Sequence, residues 1–202
     1  MSRIALHRRT LIAAALALGA APAWAAAEDG MAMGKATAPV TVVEYASVGC
    51  PHCAHWAIEV FPTFKKTYID TGKVRFVLRE MLTGNVALAQ GGFLVARCAG
   101  PAKYFQVVDA VFRAQDAVER AGEAYDVLLG IAKNAGLDKA RFDACLADEA
   151  ATKALEARSD RAADAGVNST PTFFVNGQRV DDHSLEALAA AIAKASPARR
   201  RR

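Results

Sequence analysis

The sequence predicts an α/β fold whose strands are interrupted by a long all-helical stretch, and three observations carry that prediction. A β-branched apolar run, Val40–Ala46, is followed by apolar residues at helical spacing and then by the alternating stretch Lys73–Arg79, which together make a βαβ unit. From Asn85 to about Ala165 nothing reads as a strand. The β pattern returns at Thr172–Val175 and Gln178–Val180, joined by Asn176-Gly177, the strongest two-residue hairpin signal.

Residues 1–25 read as a secretory signal rather than as part of the fold. Arg3, His7, Arg8 and Arg9 give a positive start, and Leu11–Ala21 is an apolar run too short for a membrane span. Ala23-Trp24-Ala25 is a cleavage pattern that sets maturation near Ala26, with Ala25-Ala26-Ala27 as a second site. Arg8-Arg9 also fits a twin-arginine signal, and the general Sec route is the simpler reading. An uncleaved anchor is disfavoured by the alanine-rich cleavage region.

The chain has 25 Lys+Arg against 21 Asp+Glu. Three of the basic residues leave with the signal and four more form the terminal run Arg199–Arg202, so the body between is slightly acidic. The basic balance comes from the ends, which argues against a nucleic-acid face. The tail, 197–202, reads as a solvated end, with contact to an anionic membrane surface as the minority reading. About 175 residues remain after the signal, enough for one domain with a sizeable core. Ala38-Pro39 marks the entry to the first clear strand, which leaves too few residues before it for an N-terminal dimerisation domain, so a monomer is expected.

After the first strand a helix is expected to run to about Ile69, kinked at Pro62 and ended by Thr71-Gly72. Helices are then expected over Val86–Ala96, Tyr104–Phe112, Ala124–Ala135, Asp138–Asp148 and Ala151–Ala165. Phe93, Phe105 and Phe112 read as core rather than as a cofactor site. Ser184 or Asp182 caps a last helix ending near Ser196-Pro197.

The chemistry centres on Cys50-Pro51-His52-Cys53, set where the first strand gives way to a helix. That position offers free backbone N–H groups and the positive end of the helix dipole, both of which stabilise a thiolate. Cys50, first in the motif, is expected to be a partly exposed nucleophile. Cys53, one turn in, is expected to be more buried and to act as the resolving thiol in a reversible dithiol/disulfide centre. The competing readings are a structural disulfide or half a zinc site, and a four-ligand zinc site would need two further ligands at suitable spacing. Cys98 and Cys145 are isolated and His55 is read as a helix-surface residue, so no metal is expected.

Strand, Cys50-Pro51-His52-Cys53 and helix, together with Gly166-Val167-Asn168-Ser169-Thr170-Pro171-Thr172-Phe173-Phe174-Val175-Asn176-Gly177, resemble the DsbA-like branch of the thioredoxin superfamily. The resemblance covers residues 31 to 196. It implies a thioredoxin fold in two parts, 26–84 and 166–196, with an all-helical subdomain inserted at 85–165. It also implies a cis-proline turn at Thr170-Pro171 facing the cysteines, where a bare sequence also allows an ordinary trans proline. A cis-proline would leave the Thr170 backbone free to pair with an extended peptide. Threonine there differs from the valine of the best-known oxidases of the family and is familiar in isomerase relatives.

Pro51 and His52 are expected to tune the thiolate, since stabilising the reduced form makes the disulfide a stronger oxidant. Glu44, a carboxylate in an apolar strand six residues before Cys50, matches a family acid and is a candidate proton relay. The bland reading puts it at a sheet edge in water. Cys98 and Cys145 are expected to form a structural disulfide in an oxidising compartment, with two buried thiols or a second redox pair as the alternatives.

The resulting expectation is a periplasmic thiol:disulfide oxidoreductase that donates disulfides to reduced, unfolded exported proteins. It would be reoxidised by a DsbB-like membrane quinone reductase and would need no dissociable cofactor. The runner-up is an isomerase or reductase kept reduced by a DsbD-like membrane partner. A thioredoxin-fold chaperone module with a structural disulfide is the reading from a different class.

Overall fold

The computed structural model describes residues 30–197; the expected signal at 1–25 and Arg199–Arg202 lie outside the described residues. Strand β2 (Val40–Ala46) has the bounds that its β-branched run suggests. Chain reversal through Asn176 and Gly177, both at positive φ, joins β4 (Thr172–Val175) to β5 (Gln178–Val180) as the Asn-Gly pair requires. β3 covers Val74–Glu80, one residue later than expected.

These strands form one five-stranded sheet in the order β1-β3-β2-β4-β5. β2 and β3 are parallel and every other neighbouring pair is antiparallel. β1 (Gly30–Met33) is a strand that the sequence reading passed over. It is short, it contains Gly and Ala, and it exists only as an antiparallel edge on β3, so local propensity could not announce it. At the other end of the centre, the Thr41 N–H donates to Asn176 Oδ1 at 2.8 Å and the Asn176 N–H donates to the Thr41 carbonyl at 2.9 Å.

The expected kink at Pro62 takes a specific form. Residues 51–69 stay helical throughout, as α1 (Pro51–His55), a π turn (Trp56–Val60), α2 (Phe61–Phe64) and a second π turn (Lys65–Ile69). Pro62 falls in the opening turn of α2, directly after the π turn, and removes one N–H from the otherwise continuous helical ladder. The wider π turn before it absorbs the strain that a continuous α-helix would have met at the proline ring.

Between β3 and β4 lie α3 (Val86–Cys98), α4 (Tyr104–Arg113), α5 (Gln115–Ala121), α6 (Tyr125–Asn134), α7 (Lys139–Leu146) and α8 (Glu149–Asp164). Of these only α5 was not expected; it is one short helix ended by Gly122 in the left-handed conformation. Asn85, Asp138 and Asp148 cap α3, α7 and α8 by accepting backbone N–H bonds. Ser184 does the same for α9 (Leu185–Ala195), and Asp182 accepts from the Ser184 N–H.

The core joins both halves of the chain. Trp56, 1% exposed, lies among Phe61, Phe64, Phe76 and Phe173, with the Phe173 centroid 4.6 Å away. Its indole Nε1–H donates to the His183 carbonyl at 2.9 Å, so the polar end of this large side chain is also satisfied. Phe93 and Phe112 are buried in the same core and Phe105 packs against it.

The helical insert is pinned to the sheet by one carboxylate. Glu80, at the end of β3, is 1% exposed. Its Oε1 accepts from Arg97 Nε at 2.6 Å and from the Tyr104 hydroxyl at 2.8 Å, and its Oε2 accepts from Arg158 Nε at 2.7 Å. The donors come from α3, α4 and α8, so three helices converge on one side chain of the sheet.

Candidate active site

The turn Ser47-Val48-Gly49 ends β2 and delivers Cys50 to the N-cap of α1, with extended backbone at φ −96° and ψ 123°. Pro51 follows in the first turn, where its fixed φ suits the helix. The Cys50 N–H donates to the Ser47 carbonyl at 3.0 Å, and the Cys50 carbonyl accepts from the Ala54 N–H at 3.1 Å. Both motif cysteines are free thiols.

Cys53 is fully buried, but Cys50 is also only 7% exposed, less than the partial exposure expected from its place at the helix start. The reason is the turn before β4. The Thr170–Pro171 peptide bond is cis, and the Thr170 carbonyl lies 3.5 Å from Cys50 Sγ. A segment 120 residues downstream thus roofs the sulfur.

The two thiols are driven apart in acidity. The Cys50 pKa is lowered from 9.0 to about 5, chiefly because the Cys53 thiol hydrogen-bonds to it. Burial opposes that shift, while the Thr170 hydroxyl and the backbone N–H groups of Cys53 and His52 reinforce it. Cys53 is pushed far above the ordinary thiol range by burial first, then by its bond to Cys50 and the nearby Glu44 and Cys50 charges. The His52 and His55 side chains are exposed.

Glu44 is not at an edge. β2 is the middle strand, flanked by β3 and β4, and Glu44 is 2% exposed with no partner for Oε1. Burial, and secondarily the Cys50 charge, raise its pKa from 4.5 to about 8. It borders a small, largely apolar recess lined also by Trp56, Phe61, Phe76, Phe105, Phe112 and the carboxylate Asp109. Among the described residues no group of three or more His, Cys, Asp or Glu could hold a metal ion.

Cys98, at the end of α3, and Cys145, in α7, are joined by a disulfide well away from Cys50 in sequence. The bridge holds two insert helices together. It is a second cysteine pair in one chain, oxidised where the first is reduced.

A family model described as thioredoxin matches residues 26–194. The chain belongs to the thioredoxin family. Within that family its likeness is to DsbA proteins: it resembles alpha-DsbA1 of Wolbachia pipientis with a TM-score of 0.75 and 25% identity, over 83% of this chain and 90% of that one. Oxidised BdbD of Bacillus subtilis shares the fold, with a TM-score of 0.73 at 24% identity, over 83% of this chain and 92% of that one. A Rickettsia bellii protein provisionally named protein-disulfide oxidoreductase is 33% identical over 83% of this chain, which spans 65% of that relative's length.

Two side chains of this thioredoxin-family site carried no signal in the sequence. Gln115, first residue of α5, donates through Nε2 to the Val48 carbonyl at 2.7 Å and the Cys50 carbonyl at 3.1 Å. Thr83, in the link between β3 and α3, brings its hydroxyl within 2.8 Å of the Thr170 hydroxyl. Both act across separations of 65 residues or more, which no local pattern encodes.

Proposed function

We propose that this chain is a thiol:disulfide oxidoreductase that donates disulfides to exported proteins through Cys50 and Cys53. The observation that carries the reading is the split in acidity between the two thiols: Cys50 lowered to about 5 and Cys53 raised beside a carboxyl held near 8. A stable Cys50 thiolate favours the reduced centre, and that makes the disulfide form an oxidant.

In the oxidising direction the cycle starts from the Cys50–Cys53 disulfide. A substrate thiolate attacks Cys50 Sγ, forming a mixed disulfide and expelling Cys53 as a thiolate. Burial makes that thiolate costly, and Glu44, protonated at neutral pH, can give it a proton. A second substrate thiolate then attacks the substrate sulfur of the mixed disulfide. The substrate leaves with its disulfide, Cys50 leaves as a stabilised thiolate, and two electrons now reside on the enzyme. Glu44 regains its proton from solvent, for which the recess beside it offers a route. Reoxidation by a DsbB-like membrane quinone reductase would close the cycle without a dissociable cofactor.

Pro51 and His52 would tune the thiolate, and Thr170-Pro171 would meet an extended substrate backbone by strand addition. Among the described residues no helix is long and apolar enough to cross a membrane, and the reading calls for a periplasmic protein exported by the signal at 1–25. The test is the redox equilibrium of Cys50–Cys53 against glutathione in a Cys98→Ser/Cys145→Ser variant. A centre more oxidising than glutathione, with a thiolate persisting at acidic pH, is the expected result. A potential near that of thioredoxin, ~ −270 mV, would mean a reductant and would sink the donor reading.

A further inference from the structure

We propose that Thr83 is a positioning residue for the Cys50 thiolate, acting through the hydroxyl of Thr170. The inference rests on the disulfide-exchange reading above and adds a residue that this reading does not use.

Thr83 is held in place by its backbone. Its carbonyl accepts from Ser47 Oγ at 2.8 Å, and its N–H donates to the same oxygen at 3.3 Å. Ser47 Oγ also accepts from the Gly49 N–H at 3.2 Å, so one buried hydroxyl joins the Thr83 link to the turn before Cys50. The two backbones run so close that a Cβ on Gly49 would lie 2.2 Å from the Asn85 carbonyl oxygen, and one on Gly84 would lie 2.2 Å from that of Gly49. Neither segment can slide, and the Thr83 hydroxyl is therefore presented to Thr170 from a fixed frame.

Proton counting gives the contact a direction. Each hydroxyl has one proton to donate. The turn holds Thr170 against Cys50, its carbonyl 3.5 Å from the sulfur, and its side chain is among the hydrogen-bond partners that favour the thiolate. When Cys50 is charged, the Thr170 proton therefore goes to the sulfur. Thr170 Oγ1 must then be the acceptor in its 2.8 Å contact with Thr83. The chain of bonds runs Thr83 O–H to Thr170, and Thr170 O–H to Cys50, each bond polarising the next. When Cys50 is in a disulfide its sulfur is a weak acceptor, and the Thr170 proton is free to turn toward Thr83. The pair reverses with the redox state, and the Thr83 proton supports the reduced state alone.

The test is a pH titration of thiolate absorbance in the reduced protein, run on wild type, Thr83→Val, Thr83→Ser, Thr170→Val and the Thr83→Val/Thr170→Val double variant. Valine matches threonine in shape and Thr83 is only half-buried, so the fold should persist; thermal unfolding of the oxidised variants, which hold no thiolate, checks this. Thr83→Val should cut the acid ionisation of Cys50 about three- to tenfold and shift the glutathione equilibrium by the same factor. Thr83→Ser should titrate as wild type, and the double variant should match Thr170→Val alone. A Thr83→Val protein that titrates as wild type would overturn the proposal. So would equal shifts from valine and serine, which mean packing, or additive effects in the double variant, which mean that Thr83 acts without Thr170. If the wild-type Cys50 itself ionised only near pH 8.5–9, the disulfide-donor reading would fall, and the proposal with it.

Discussion

Glu44 and Glu80 lie on adjacent parallel strands, two steps apart in register, since Glu44 faces Leu78 and Ala46 faces Glu80. Both are buried, at 2% and 1% exposure. Their surroundings are opposite. Glu80 is met by two guanidinium groups and a phenol, whereas Glu44 has an oxygen with no partner and borders a largely apolar recess. Burial with full pairing makes a joint. Burial without pairing makes a group whose proton is loosely decided near neutral pH, as a relay needs. The sheet therefore keeps a fully paired carboxylate and one with an unpartnered oxygen one turn of the pleat apart, and the helices of the insert supply the cations to only one of them.

Removing the pairing should have the largest effect at any single pH near neutrality. Glu80→Gln leaves Arg97 and Arg158 around a neutral group, and breaking such a network should lower unfolding free energy by about 3 kcal/mol, read by urea denaturation. A loss below about 1 kcal/mol would mean that the guanidinium groups find water instead and that the insert is held by packing.

Glu44 should reveal itself as a slope. Between pH 4.5 and about 8 the unfolded chain ionises Glu44 while the fold keeps it protonated, so unfolding releases a proton and stability falls as pH rises. One full proton is worth about 1.4 kcal/mol per pH unit, and the slope vanishes below and above that window. In the oxidised protein, where the Cys50 charge no longer adds to the burial effect, the difference between wild type and Glu44→Gln should follow that course over a narrower window. In the reduced protein Cys50 acts in the opposite sense, because its thiolate is favoured in the fold from about pH 5 up to the ordinary thiol value of 9.0. The reduced form should thus gain on the oxidised form as pH rises through that range. Parallel stability curves for the two forms would contradict the assigned acidities.

The smallest change tests the joint from its neutral side. Tyr104→Phe removes one hydrogen bond to Glu80 Oε1 while Arg97 remains on the same oxygen. Its cost should be about 1.5 kcal/mol, with thiolate titration unchanged. A shifted Cys50 titration would show that the two carboxylates are not independent.

Much of this arrangement could be read from the chain. β2, the Cys50 helix start, the Asn176-Gly177 reversal and most insert helices rest on local periodicity and turn chemistry, which a linear pattern records. β1 and α5 could not be read, because each is short and exists by virtue of a neighbour. The low exposure of Cys50 depends on Thr170, and the split between Glu44 and Glu80 depends on where Arg97, Arg158 and Tyr104 arrive in space. Glu80 ends a strand followed by Met81 and Leu82, and nothing in that stretch announces two arginines, one of them 78 residues away.

The clasp between Thr41 and Asn176 spans 135 residues, and it sits at the middle of the sheet. Closing a loop of that length costs little more stability than closing a shorter one, but it delays the moment of closure. The insert helices, built on near neighbours, can form while the chain is still emerging; the central strand pair must wait for the last hairpin. A partly synthesised chain therefore carries Cys50 and Cys53 without the Thr170 roof, and with only the part of the thiolate's stabilisation that its own helix start and Cys53 supply. The site is completed at the end of assembly, when the final fifth of the chain arrives over cysteines made long before.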